Sequence, residues 1–194
     1  ESVFIVYPIE KANESKGKED ILQKVQKSKN SPAKELLDIS LDAEEYTVTF
    51  VANGQTVTRK ALFDWSKEDN ERIRYYSGTA IYKTTFPWKY KEQKDRQVYL
   101  HLGTVYNLAT VRVNGIDCGT VWTAPYRADI TAALKKETNE LEIEVTNTWA
   151  NALKGTDEGK APFEGIWTNA KYRKQENTLL PGGLLGPLYL EQSN

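Results

Sequence analysis

Few side chains in this sequence are of the types that do covalent chemistry. There is one cysteine, Cys118, and one histidine, His101, so a Cys/His zinc site cannot be assembled and any Ser-His or Cys-His unit would rest on a single imidazole. His101 falls in a strand pattern on the face opposite Val98, Leu100 and Leu102, where a structural or surface histidine is expected. Cys118 stands between Asp117 and Gly119 with no basic neighbour in sequence to lower its pKa, and is expected to be inert. No phosphate-binding loop, G-x-S-x-G elbow or zincin motif occurs, and Gly182, Gly183 and Gly186 read as a turn. Carboxylates are plentiful, but sugar hydrolysis needs two of them placed roughly 5–10 Å apart. Glu142 and Glu144 belong to the solvent face of an alternating strand. Glu164, set among Phe163, Gly165 and Trp167 in a loop, is the better catalytic candidate, with Asp157 or Glu158 as its partner.

Two stretches have the make-up of a ligand site. In Asn147-Thr-Trp149-Ala-Asn151 an indole stands between two amides at a sheet edge. Amides fork to adjacent hydroxyls while an indole offers a stacking face, as a sugar requires. The same residues would also serve with the indole folded over the core and the amides closing a turn. The second stretch, 156–181, lacks strand periodicity and carries Phe163, Trp167 and Tyr172 beside Lys171, Arg173 and Lys174. A loop of that length covers a site, docks on a neighbouring domain or caps the fold. Trp122-Thr-Ala-Pro-Tyr-Arg127-Ala-Asp129 reads as a structural approach to a strand, its Arg and Asp tying down backbone. Arg74-Tyr-Tyr-Ser-Gly78 also reads as structural, its glycine implying close backbone approach, with an exposed Tyr75 or Tyr76 as the alternative.

The elements that must position these residues are strands. Tyr46, Val48 and Phe50 alternate with Thr47 and Thr49, as do Thr79 to Phe86, Val98 to Leu102, and Leu141, Ile143 and Val145 against Glu142 and Glu144. Asn53-Gly54 and Asn114-Gly115 have the form of two-residue hairpin turns; the second joins Ala109–Val113 to a return strand from Ile116 to Trp122. A last strand runs from Leu184 to Leu190. The spacing predicts one helical turn, Asp129 to Leu134, capped by Asp129 or Thr131. Short strands with almost no helix predict an all-β antiparallel sandwich or jelly roll and exclude a parallel α/β sheet. Val3 to Ile9 reads as a strand finishing an upstream domain, residues 10–39 as a charged linker or mobile loop, and 40–194 as the sandwich.

Composition narrows the function further. The 194 residues hold 26 Lys plus Arg against 27 Asp plus Glu, without the basic excess that phosphate backbones demand, so no nucleic acid partner is expected. The longest apolar run is far shorter than the roughly 20 residues that span a bilayer, so no membrane partner is expected either. The sequence has no Met, not even at its start, and is expected to be a processed product or a piece of a longer chain.

The runs Tyr75-Tyr-Ser-Gly-Thr-Ala-Ile-Tyr82, Val111-Arg-Val-Asn-Gly115, Pro125-Tyr-Arg-Ala-Asp-Ile-Thr131 and Asn139-Glu-Leu-Glu-Ile-Glu-Val-Thr-Asn147 resemble, in that order, the sugar-binding domain of glycoside hydrolase family two. The ending Leu179-Leu-Pro-Gly-Gly-Leu-Leu-Gly-Pro187 is similar to that of the C-terminal β-sandwich of large bacterial α-L-rhamnosidase-type glycoside hydrolases. The resemblance covers about Leu62 to Leu190. It implies a galactose-binding-like jelly roll within a multidomain, periplasmic, secreted or cell-surface bacterial enzyme that degrades polysaccharide, with the catalytic carboxylates in another domain. Related sandwiches sometimes hold a structural calcium ion; no ligand set in this sequence identifies one, and no cofactor is assigned.

The expectation is a non-catalytic accessory module whose partners are carbohydrate and the other domains of its parent chain. Trp149, Trp167 and Tyr172 would offer aromatic contact, Asn147 and Asn151 would hydrogen-bond hydroxyls, and Glu164 would accept from them. A pure scaffold without a sugar site, and a stand-alone glycosidase built on Glu164, are the alternatives.

Overall fold

The computed structural model describes residues 37–41, 45–89, 96–160, 166–169 and 178–193. In chain order the strands are β1 (Leu37–Ser40), β2 (Tyr46–Phe50), β3 (Gln55–Arg59) and β4 (Thr79–Trp88). They continue with β5 (Gln97–His101), β6 (Thr104–Tyr106), β7 (Leu108–Val113) and β8 (Ile116–Val121). Then come β9 (Arg127–Asp129), β10 (Glu137–Thr146), β11 (Gly183–Gly186) and β12 (Tyr189–Ser193). Two short helices, α1 (Glu71–Arg74) and α2 (Ala150–Asp157), and two 3₁₀ turns, Trp65–Lys67 and Thr131–Ala133, accompany them.

All these strands pair antiparallel, as the alternating patterns predict. A six-stranded sheet in the order β3-β2-β4-β10-β7-β8 faces a four-stranded sheet, β1-β12-β5-β9, and the pair β11-β6 lies apart from both. The inward residues of the larger sheet include Val48, Phe50, Ala80, Tyr82, Phe86, Val111, Ile143 and Val145; Val98, Leu100, Ala128 and Leu190 meet them from the smaller. Each is nearly or wholly buried, so the period-two alternation is the imprint of one wet face and one dry face.

Phe50, Trp65 and Tyr76 pack edge to face, with ring centroids 4.9–5.6 Å apart. The Tyr82 hydroxyl, buried beside them, accepts the Trp65 indole N–H at 2.7 Å and the Leu184 amide N–H at 3.2 Å. Asp64 Oδ1 accepts from the Ser66 amide and hydroxyl and from the Gly182 amide, while Trp65 N–H donates to the Gly182 carbonyl. A side chain at Gly183 would come within 2.5 Å of the Trp65 indole nitrogen, and one at Gly186, whose φ is +69°, would strike Leu62. The glycines of the Leu179–Pro187 segment are therefore sites of close approach in a strand.

Several sequence expectations need correction. Leu184 to Leu190 is two strands in different sheets, broken at Pro187, which has no N–H to continue a ladder. Asn53-Gly54 closes a four-residue connection, since Phe50 pairs with Gln55; Gly54 has positive φ while Asn53 instead accepts the Gln55 amide. Asn114-Gly115 is the two-residue turn expected, both residues at positive φ. The turn at 131–133 forms with Asp129 accepting from the Thr131 amide. α1, α2 and the 65–67 turn carry no periodic apolar stripe and escape the pattern. α2 buries Asn151, Ala152 and Gly155, the last where a Cβ would meet the Tyr75 ring at 2.9 Å. Tyr75 and Tyr76 are both buried, which suits the structural reading of that motif and removes the exposed-tyrosine alternative. Arg127 lies over the Tyr99 ring and pairs with Glu191 instead of bracing backbone. β1 begins inside the stretch assigned to the linker, and the strand expected at 3–9 lies outside the described residues.

Two outcomes follow. Tyr82→Phe removes the only acceptor that the Trp65 indole and the Leu184 amide share, and two buried donors left unpaired cost about 2–4 kcal/mol. Urea unfolding should show the lowered midpoint with an unchanged slope. Burial, and then the Glu158 carboxylate that accepts its hydroxyl at 2.7 Å, push the Tyr75 phenol up to about 12 from an ordinary 10.0. The folded state thus holds this proton more tightly, so the contribution is complete below pH 10 and is lost as pH rises to 12. Over that interval Tyr75→Phe should lose less stability than the parent chain.

Candidate functional site

The residues expected to bind carbohydrate sit where β10 runs out of the sheet. Thr146 closes the strand with a side-chain hydrogen bond to Thr79, and Asn147 follows. Its Oδ1 accepts the Gly78 amide at 2.9 Å, and its Nδ2 donates to the Tyr76 carbonyl at 2.9 Å. Asn151, in the first turn of α2, is buried and grips Leu180 from both sides: Nδ2 donates to its carbonyl at 2.7 Å and Oδ1 accepts its amide at 2.9 Å. The Ala152 amide donates to Ser77 Oγ, which fixes the helix start on the same loop. Both amides are thus committed to backbone. Their work here is to hold three segments, 76–78, 147–152 and 180, in one rigid platform.

The indoles stay outside it. Trp149 is 58% exposed and Trp167, in the described stretch 166–169, is 77% exposed. Glu164 and Tyr172 lie outside the described residues, as do Phe163, Lys171, Arg173 and Lys174. Trp122, which the sequence places in a structural motif, is 75% exposed at the end of β8. Val121 pairs with Ala109 and Ala109 with Val145, so β8 and β10 are two strand spacings apart, about 10 Å. Trp122 and Trp149 therefore leave the larger sheet at the same end, with Leu180, half exposed, beside Asn151. Nothing in the period-two pattern marks Trp122, because it lies just past the last paired residue of its strand.

Acid–base chemistry finds no footing in the described carboxylates with perturbed protonation. A groove of about 880 Å³ crosses the outer face of the six-stranded sheet, and Lys83, Arg112 and Glu142 in its lining are ion-paired. Lys83 Nζ lies 2.9 Å from Glu142, and Arg112 reaches both Glu142 and Glu144. The Lys83 hydrogen bond, then Arg112, holds the Glu142 carboxyl below its usual range. Glu158 is held low in the same way by Lys154 and by the Tyr75 hydroxyl. A catalytic acid needs the opposite shift. The Cys118 thiol is pushed up by burial, which keeps it from acting as a nucleophile. Among the described residues no group of three or more His, Cys, Asp or Glu is placed to hold a metal ion.

A family model described as glycosyl hydrolase 2 galactose-binding domain-like matches residues 58–179. A protein of Formosa agariphila named "Putative beta-glucuronidase" is 35% identical over 174 residues, which cover 75% of this chain and 15% of that protein. The structure of a rhamnosidase from Novosphingobium sp. PP1Y superimposes with a TM-score of 0.77 at 34% identity, covering 84% of this chain and 16% of that one. An FMN-binding beta-glucuronidase from Facaelibacterium prausnitzii L2-6 shares the fold at 24% identity with a TM-score of 0.55, over 82% of this chain and 23% of that one. The chain thus spans under a quarter of the length of each of these relatives.

If the amides are structural, Asn151→Ala should lower stability by about 1–3 kcal/mol, the cost of two lost hydrogen bonds to buried backbone. Amide exchange at Leu180 should accelerate while β7 and β10 stay protected.

Proposed function

This chain belongs to the glycosyl hydrolase 2 galactose-binding domain-like family, and on that premise we propose that it is a non-catalytic accessory module of a larger glycoside hydrolase, contacting carbohydrate through its indole-bearing end. One observation carries this reading: Trp149 is more than half exposed on a platform that Asn147 and Asn151 make rigid. A fixed, exposed aromatic face is what the apolar side of a sugar ring stacks on, at little entropic cost because the support is already ordered. Trp167 is the second stacking candidate, and Asn147 and Asn151 act by positioning. Relatives several times longer than this chain have room for the catalytic carboxylates elsewhere.

A second reading has its own support. With both amides spent on backbone, the exposed Trp122, Trp149 and Leu180 form an apolar end suited to packing against another domain of the parent enzyme.

Tryptophan fluorescence separates the two. Titration with rhamnose, galactose and plant-polysaccharide oligosaccharides, with and without calcium, should give a saturable change for at least one sugar. Trp149→Ala should weaken that binding about tenfold, the scale of one lost stacking contact. A flat response to every sugar would leave the packing role in possession of this surface.

A further inference from the structure

A smaller pocket opens at the same end of the sandwich, beside the four-stranded sheet, and it has a different composition. Its volume is about 390 Å³, and it is lined by His101, Gly103 to Tyr106, Ala124 to Tyr126, and Tyr189. We propose that this pocket binds a single uncharged pyranose ring, a subsite that rests on the carbohydrate reading above and gives it a definite location.

The walls come from segments far apart in sequence, each fixed independently. Tyr189 and His101 are register partners on β12 and β5, and their rings stack with centroids 4.3 Å apart and planes 7° from parallel. The 124–126 loop is anchored by the Leu102 amide, which donates to the Tyr126 carbonyl at 2.8 Å. Gly103 has a φ of +62°, and a Cβ there would lie 2.2 Å from the Gly186 carbonyl, so two backbones meet at the base of the loop with no side chain between them. The cavity is consequently held open before any ligand arrives, which lowers the ordering cost of binding. Its size falls within the usual range of small-molecule pockets, about 300–1,000 Å³.

Chemistry points to a neutral sugar. Three phenols, the Thr104 hydroxyl and one imidazole are set among Val105, Ala124 and Pro125; aromatic faces with polar tips match a ring that has one apolar face and a hydroxylated edge. Among the described residues no Asp, Glu, Lys or Arg lines the pocket. Beside it, Glu191 Oε2 is shared by His101 Nε2 at 2.5 Å and Arg127 Nη1 at 3.6 Å, and the Arg127 guanidinium covers the Tyr99 ring. A uronate or phosphate placed here would be desolvated with no Lys or Arg of the described lining to pair with it, which is costly.

The sequence supplies its own reporter, because His101 is the single histidine and the proton on its Cε1 gives one proton NMR signal that needs no assignment. Methyl glycosides of a neutral hexose, a 6-deoxyhexose and a hexuronate are titrated to millimolar concentrations into the whole chain. The expected result is a saturable shift of the His101 signal with at least one neutral glycoside and none with the hexuronate, weakened about tenfold in Tyr106→Ala. Indole signals that move while His101 stands still would overturn the pocket and leave carbohydrate binding intact. If neither moves, both readings fall. Tighter binding of the hexuronate than of the neutral sugars would overturn the ligand class.

Discussion

The phenol oxygen of Tyr82 lies in the middle of the core, and it is the acceptor for two donors that arrive from opposite directions. One is the indole N–H of Trp65; the other is the backbone N–H of Leu184. An unpaired donor in so dry a place is expensive, so this three-way junction is obligatory rather than decorative. It fixes β11 beneath the 65–67 turn, and the Asp64 contacts to Gly182 repeat the tie one residue earlier. From that strand the positions of both proposed binding surfaces follow. Going back along the chain, Leu180 is clamped by Asn151, which sets α2 and hence Trp149. Going forward, Gly186 meets Gly103 at the base of the pocket loop. A single buried hydroxyl thus organises the end of the molecule where its aromatic side chains gather.

Charge is managed in the opposite way. On the smaller sheet Glu191 lies between His101 and Arg127, and on the outer face of the larger sheet Lys83, Glu142, Arg112 and Glu144 neutralise each other. Exposed pairs of this kind contribute about 0–1 kcal/mol each, so their consequence is chemical more than energetic. They hold the Glu142 carboxyl below its usual range, the reverse of what a catalytic acid needs, while the exposed indoles of Trp122 and Trp149 gather at one end of the same sheet. That division suits a module that lends contact to a reaction carried out elsewhere.

The strands were legible in the sequence because alternation is local: Leu141, Ile143 and Val145 declare a buried face without reference to anything distant. The fold class follows from several such runs. What escaped depends on partners far away. Asn147 and Asn151 have the residue types of a sugar site, and only the arrival of Gly78 and Leu180 shows that their amides are already engaged. The run Leu179–Pro187 is familiar as a motif, yet its glycines make sense only against Trp65 and Gly103, over a hundred and about eighty positions upstream. The His101 pocket draws on β5, β6, the 124–126 loop and β12, and no window of the sequence contains it. Local chemistry names candidates; topology decides which of them are free.

On the proposed reading, carbohydrate meets this module at the end where Trp149 and the His101 pocket lie. Amide chemical-shift mapping over the whole chain during titration with a neutral oligosaccharide tests it most directly. The changes should cluster at 102–107, 122–126, 147–152 and 180, with the outer face around Lys83, Arg112 and Glu142 unmoved. Changes centred on that outer face, or none anywhere, would contradict it.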